Sequence, residues 1–315
     1  FCAHCYRESG EKAKGELDTV QAKKLISEVA KAGFKIMIFS GGEPMTREDI
    51  YELIAYAKEQ GLRPVLGSNG SLITKEAAEK LKAAGLAGAG ISLDSLDKKK
   101  HDDLRRMEHA WDLAVEGMKN CINAGIRTQI HTTVMDWNAE EIEDIMDFAV
   151  KIGASAHHIF FLVPTGRGEE IVDQALGREE YEAILTRIMK KAATVPIEVK
   201  PTCAPQFMRV SEQMGQHLRF SKGCLAGISY CIISPKGDVQ PCAYMKMEIG
   251  NVKETPFDEI WRDNEIFKML RTESYKDGCG SCGFKKKCGG CRARAAYYHN
   301  GDYMAEDPLC IMNKR

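Results

Sequence analysis

Eight of the twelve cysteines in this 315-residue chain crowd into its last third: Cys224, Cys231, Cys242, Cys279, Cys282, Cys288, Cys291 and Cys310. Cys2, Cys5, Cys121 and Cys203 are the other four. A disulfide framework normally staples a short secreted domain, whereas this chain is long and starts with no basic-then-apolar leader. Metal ligation explains the cysteines better. Cys279-x2-Cys282-x5-Cys288-x2-Cys291 has the density of thiolates that share a zinc ion or an iron–sulfur cluster, and spacing alone does not choose between them. Number tips the balance: the last third makes two sets of four, and Cys2 with Cys5 form a further, incomplete set.

The rest of the composition is that of an ordinary globular chain, with 44% hydrophobic residues available for a sizeable core. Lys+Arg 44 against Asp+Glu 45 leaves a formal charge of -1, so no global basic field attracts nucleic acid or anionic lipid. No run of about 18 apolar residues is present. These readings predict a cytoplasmic protein with no nucleic-acid or membrane partner.

From about Thr19 to Ser155 amphipathic helical patterns alternate with short apolar runs: KIMIFSGG, PVLGSNG, GAGISLDS, TQIHTTV and AHHIFFLVP. With one more strand expected near the start, the pattern predicts six βα units. Small or polar residues close each run (Gly41, Gly42, Glu43; Ser68, Asn69; Ser92, Asp94; His131, Thr132), as when strand ends converge on one catalytic rim. The expected fold is α/β, a partial (β/α)6 TIM-like barrel open on one side, over residues 1–200. Periodicity weakens near Pro196–Pro205, giving a bridging segment over 201–223 and a small cysteine-rich domain over 224–315. Within the latter, SYCIISPKGDVQPCAYM reads as a hairpin turning at Pro-Lys-Gly-Asp.

Cys2-Ala-His-Cys5 followed by Tyr6 resembles the end of the Cys-x3-Cys-x2-Cys motif of radical S-adenosylmethionine (radical SAM) enzymes, whose remaining cysteine would fall four residues before Cys2, outside this sequence. The resemblance extends through Gly41-Gly42-Glu43-Pro44, Ser68-Asn69-Gly70 and Ile91-Ser92-Leu93-Asp94, with Arg105 following. It implies a [4Fe–4S] cluster held by Cys2, Cys5 and a third cysteine, with SAM on its open iron. It also implies SAM contacts at Tyr6, Gly41, Gly42, Glu43, Ser68, Asn69, Ser92 and Arg105, and cleavage to a 5′-deoxyadenosyl radical.

The last third is similar to the SPASM extension of that superfamily, departing only in a final gap one residue short. That similarity implies two auxiliary [4Fe–4S] clusters, three clusters in all. One would use Cys279, Cys282, Cys288 and Cys310; the other Cys224, Cys242 and Cys291, with Cys231 as fourth ligand. An electron donor such as a ferredoxin or flavodoxin is implied as well.

FFLVPTGRG, KPTCAPQF, GCLAGISYC and CGGCRARA further resemble the haem-biosynthesis branch, which implies a tetrapyrrole substrate: oxidative decarboxylation of Fe-coproporphyrin III propionates to vinyls, giving haem b. Removal of side chains from a sirohaem derivative, peptide crosslinking by a maturase, and a zinc-stapled binding module are the alternatives. Arg167, Arg209, Arg219 and Lys222 are plausible anchors for carboxylates. Cys203 and His131 are candidate catalytic residues, each weighed against a structural role. Cys121, within a helical pattern, reads as a buried small apolar residue.

Overall fold

The computed structural model describes residues 1–313. Helix α1 (Thr19–Lys31) begins at Asp18, whose carboxylate accepts from the Gln21 N–H at 2.8 Å while the Gln21 side-chain oxygen accepts from the Asp18 N–H at 3.1 Å. This reciprocal pair satisfies donors that a helix start otherwise leaves orphaned. Ala22, Leu25, Ile26 and Val29 form its buried stripe, the helical spacing of an amphipathic element.

Six strands alternate with helices: β1 (Ile36–Phe39), α2 (Ile50–Glu59), β2 (Arg63–Ser68), α3 (Lys75–Ala83), β3 (Gly88–Ser92), α4 (Lys98–Arg105), α5 (Ala110–Asn123), β4 (Arg127–Val134), α6 (Ile142–Ile152), β5 (Ala156–Phe161), α7 (Arg178–Ala192) and β6 (Glu198–Thr202). Neighbours follow chain order and every pair is parallel. With β1 and β6 as edges, this is a six-stranded partial barrel open on one side.

Period-two alternation divides its faces. Leu66, Ala89, Ile91, Ile130 and Ile159 pack outward against Ile54, Leu81, Met118, Ile145 and Leu185 of the helices, each fully buried Leu or Ile contributing about 1.5–3 kcal/mol. The intervening residues, His131 and His158 among them, line the concave face. Cys121 lies in the helix–sheet core, fully buried.

One expectation is corrected. The described chain has no strand before β1; the sixth strand is β6, in the stretch where periodicity weakens. Only Val199 and Pro201 of β6 are buried, too few positions to make an alternation visible. Pro201 also lacks a ladder donor, which an edge strand tolerates.

After α8 (Phe207–Gln213), the chain forms a small hairpin of β7 (Ile232–Ile233) and β8 (Val239–Gln240), turning at Gly237 with φ +97°. Helices α9 (Phe257–Asp263), α10 (Glu265–Thr272), α11 (Asp277–Ser281) and α12 (Arg292–Tyr298) follow. This half docks onto α1: Phe34 meets Phe257 and Trp261, the Glu28 carboxylate accepts from the Phe257 N–H at 2.9 Å, and the Leu17 N–H donates to the Pro235 carbonyl at 2.7 Å. Arg271 covers the Trp261 ring at 4.3 Å.

Candidate active site

The N-terminal cysteine loop is clamped at the carboxyl end of the sheet. Arg167, in the loop after β5, donates its backbone N–H to the Cys5 carbonyl (3.1 Å), its Nε to the Cys2 carbonyl (2.9 Å) and a terminal nitrogen to the Ser9 carbonyl (3.1 Å). Gly166 adopts φ +59°, and a Cβ there would lie 2.6 Å from the Cys5 oxygen, so the approach requires glycine. The Ser9 N–H points at the Cys5 sulfur (3.4 Å).

Beside this loop, Gly41 has φ +132° and faces open space where its side chain would be, so the backbone can be approached there. Glu43 is fixed by three donors: the Met45 N–H (3.1 Å), the Ser68 hydroxyl (2.8 Å) and the Asn69 N–H (2.8 Å). Burial raises its pKa despite these hydrogen bonds. Ser68 also accepts from the Gly70 N–H, and the Asn69 side chain accepts from the Ser71 N–H. Ser68 and Asn69 therefore orient Glu43.

Asp94, fully buried, accepts from the Thr133 N–H (2.9 Å) and from Arg105 (2.5 and 2.8 Å). Burial pushes its carboxyl up, but Arg105, His4 and His101 more than offset this and hold it below the usual range. The Arg105 guanidinium reaches the Cys2 thiol as well. His4, between the two cysteines, has a buried Nδ1 with no hydrogen-bond partner. An orphaned buried nitrogen is costly unless something at the site meets it. The Tyr6 ring packs against Tyr244, with centroids 4.6 Å apart and planes tilted by 42°.

In the C-terminal half, Cys279, Cys282, Cys288 and Cys310 line one cavity of about 300 Å³ including its open mouth. The Phe284 N–H points at the Cys282 sulfur (3.4 Å); Arg292 and the Asp307 N–H point at that of Cys279 (3.5 and 3.4 Å). Such donors stabilise thiolates. No three His, Cys, Asp or Glu side chains among the described residues converge closely enough to hold a single metal ion. Four thiols spread around a cavity suit a cubane cluster, which presents four separate iron corners. Cys242 and Cys291 pack together around Val163 and Met245, with Cys203 and Tyr244 against them. Cys231 packs elsewhere, among Val239, Val252, Phe257 and Ile260.

Comparison with known proteins matches two stretches of the chain to families. Residues 1–149 match the Radical SAM superfamily and residues 224–291 the SPASM iron-sulfur cluster-binding domain. An AdoMet-dependent heme synthase of Nitratidesulfovibrio vulgaris is 43% identical, the alignment covering 100% of this chain and 89% of that one. The chain belongs to the radical SAM superfamily. An Fe-coproporphyrin III synthase of Methanosarcina barkeri is 32% identical over 99% of this chain and 85% of its own length. The fold is similar to that of Streptococcus suis SuiB bound to precursor peptide SuiA, with a TM-score of 0.80 at 18% identity, covering 99% of this chain and 73% of that one. As a radical SAM enzyme with a SPASM domain, the protein uses SAM, a [4Fe–4S] cluster and auxiliary iron–sulfur clusters.

On the concave face of this radical SAM barrel, His131 stacks on His158 (5.3 Å, nearly parallel) and meets Phe160. Gly90 makes the room, since a Cβ there would fall 2.1 Å from the His131 ring. Burial lowers the pKa of His131 to about 3 and of His158 to about 4, so both imidazoles are neutral. Ser92 pairs in register with His131. The cationic anchors expected from sequence are engaged within the protein: Arg167 clamps the cysteine loop, Arg209 pairs with Glu182, Arg219 with Glu198, and Lys222 with Glu273.

Sequence reasoning missed Lys200 on β6, Arg294 and Asp307. Lys200 has no ion-pair partner among the described residues; its ammonium lies 5.0 Å from the Phe220 ring centroid, and burial lowers its pKa. Asp307, fully buried, accepts from Arg294 (two contacts at 2.8 Å), the Cys291 N–H (2.7 Å) and Gln206 (2.8 Å). The charges in CGGCRARA and AEDPLC, set among cysteines, were the available signal.

Among the described residues no helix is long and apolar enough to cross a membrane.

Proposed function

We propose that the protein is a radical SAM haem synthase that converts two propionates of Fe-coproporphyrin III to vinyl groups, giving haem b. The observation that carries this reading is the 43% identity to an AdoMet-dependent heme synthase across the full chain, against 32% for the Fe-coproporphyrin III synthase. Cys2, Cys5 and one further cysteine would hold the SAM cluster; Gly41 and Glu43 would receive SAM; the cysteines of the last third would hold the auxiliary clusters.

Removing one hydrogen atom from the propionate carbon next to the ring leaves a carbon radical, which loses CO2 and one electron to become a vinyl. SAM at a reduced cluster supplies the hydrogen-abstracting 5′-deoxyadenosyl radical, and the auxiliary clusters supply an acceptor for the remaining electron. The chain's own residues provide placement. Ile36 and Ile38 of β1, alternating with Met37 and Phe39 that pack outward on the helix side, stand about half exposed (51% and 54%) on the concave face and suit a broad apolar ring. Lys200 offers an unpaired cation for a propionate on the same face, and neutral His131 and His158 line it between them. An external electron donor, such as a ferredoxin or flavodoxin, would reduce the SAM cluster.

The test is anaerobic incubation of full-length protein with SAM, a reductant and Fe-coproporphyrin III. The expected product has lost two CO2 and four hydrogen atoms, with one 5′-deoxyadenosine formed per vinyl. Unchanged Fe-coproporphyrin III beside a converted sirohaem derivative would overturn the reading.

A further inference from the structure

We infer that Cys203 completes, with Cys224, Cys242 and Cys291, the four-thiolate set of one auxiliary cluster, and that Cys231 is not a ligand. The inference rests on the radical SAM and SPASM reading of the chain and goes beyond it in assigning the fourth ligand.

Four observations converge. Cys203 follows β6 directly in Lys200-Pro201-Thr202-Cys203, and its thiol contacts that of Cys291. Both belong with Cys242 to one small apolar cluster around Val163 and Met245. Cys224 lies close enough to Cys291 and Cys242 to interact with both electrostatically, and its N–H donates to the Cys288 carbonyl at 3.3 Å. The backbone of Cys203 is held at φ +58°, a conformation that L residues adopt only when their surroundings enforce it.

What enforces it is the Arg294–Asp307 pair. Arg294 Nη1 donates to the Cys203 carbonyl at 3.0 Å while its other nitrogens grip Asp307, which accepts from the Cys291 N–H. One buried ion pair thus fixes the backbones of both cysteines, the second layer of support that metal ligands characteristically have. The Arg294 cation also suits the negative charge of a cluster with four thiolates.

Cys231 has none of these neighbours. It packs against the Val239–Phe257 cluster, and the charged group that acts on it is Arg271. If Cys203 is the ligand, all four iron corners are saturated, so the cluster passes electrons and binds no substrate. It also ties the end of the barrel sheet to the C-terminal half.

The test uses full-length protein carrying Cys2→Ala and Cys5→Ala, so that only auxiliary clusters contribute, reconstituted anaerobically and assayed for iron, sulfide and the EPR spectrum of the reduced state. The parent is expected to hold about eight irons, two cubanes. Adding Cys203→Ala should roughly halve the iron and remove one EPR component; adding Cys231→Ala should change neither. Cys203→Ser, which keeps the shape, should retain the protein's melting temperature while shifting the g values of one component, separating ligation from folding.

Parent-like iron and EPR in both Cys203 variants would overturn the inference and leave the family reading intact, as would loss of a cluster with Cys231→Ala. A Cys203–Cys291 disulfide in the cluster-loaded protein, read by mass spectrometry, would also overturn it. A parent without iron would bring down the SPASM reading and this inference together.

Discussion

Asp94 and Arg105 form a buried ion pair beside Cys2; the sequence offered Asp94 as a polar strand-end residue and, by resemblance, Arg105 as a SAM contact, but not that the two pair. Removing one end leaves a buried charge without compensation, which typically costs about 3–5 kcal/mol, whereas replacing both with apolar groups costs far less. Asp94→Asn is therefore expected to destabilise the anaerobically purified protein by that amount in denaturant unfolding, with Asp94→Asn plus Arg105→Met recovering much of the loss. A single-variant cost below about 1 kcal/mol would mean that water or another group compensates Arg105. Glu43 illustrates what residue-level reading can reach: the Gly-Gly-Glu-Pro run pointed to an acceptor at a strand end, and the structure places Glu43 there, held by Met45, Ser68 and Asn69. That Ser68 spends its hydroxyl on Glu43 was not legible, because the hydrogen bond joins two βα units 25 residues apart.

At the level of elements, the loop after β5 carries the placement of the N-terminal cysteines. Gly166→Ala would add a methyl 2.6 Å from the Cys5 carbonyl at a backbone conformation unsuited to alanine. The expected result is a fall in SAM cleavage on the order of 100-fold, the scale of loss when a reacting group is misplaced by about an ångström. Auxiliary-cluster EPR should stay as in the parent. Cleavage within about two-fold of the parent would mean that the clamp tolerates movement. Five of the six strands were readable because each is carried by an apolar run, IMIF in the four-residue edge strand β1 included. β6 was not, because Glu-Val-Lys-Pro-Thr holds only one strongly apolar side chain, Val199, among charged and polar residues. Arg167 was read as a carboxylate anchor because a loop arginine's partner cannot be named until the loop is folded against another segment.

For the whole molecule, buried neutral histidines make stability depend on pH. His157 and His101 are 0% and 1% exposed, and burial lowers their pKa values to about 3 and about 4 from an ordinary 6.5. Below pH 6.5 the unfolded chain takes up protons that the folded chain refuses. Their stabilisation is therefore complete above about pH 6.5 and is lost as pH falls towards 4, each contributing at most about 1.4 kcal/mol per pH unit. Denaturant midpoints should drop steadily between pH 7 and 5; a flat profile would mean these rings are protonated in the folded state. The sequence by itself determined the alternation of strands and helices, the polar strand ends and the local set Cys279, Cys282 and Cys288, because periodicity and short spacing act within a few residues. The tertiary structure alone decided that Cys203 rather than Cys231 lies against Cys291, and that Lys200 has no ion-pair partner among the described residues. Those outcomes depend on which distant segments pack together, and chain spacing places almost no constraint on a contact closed across a hundred residues.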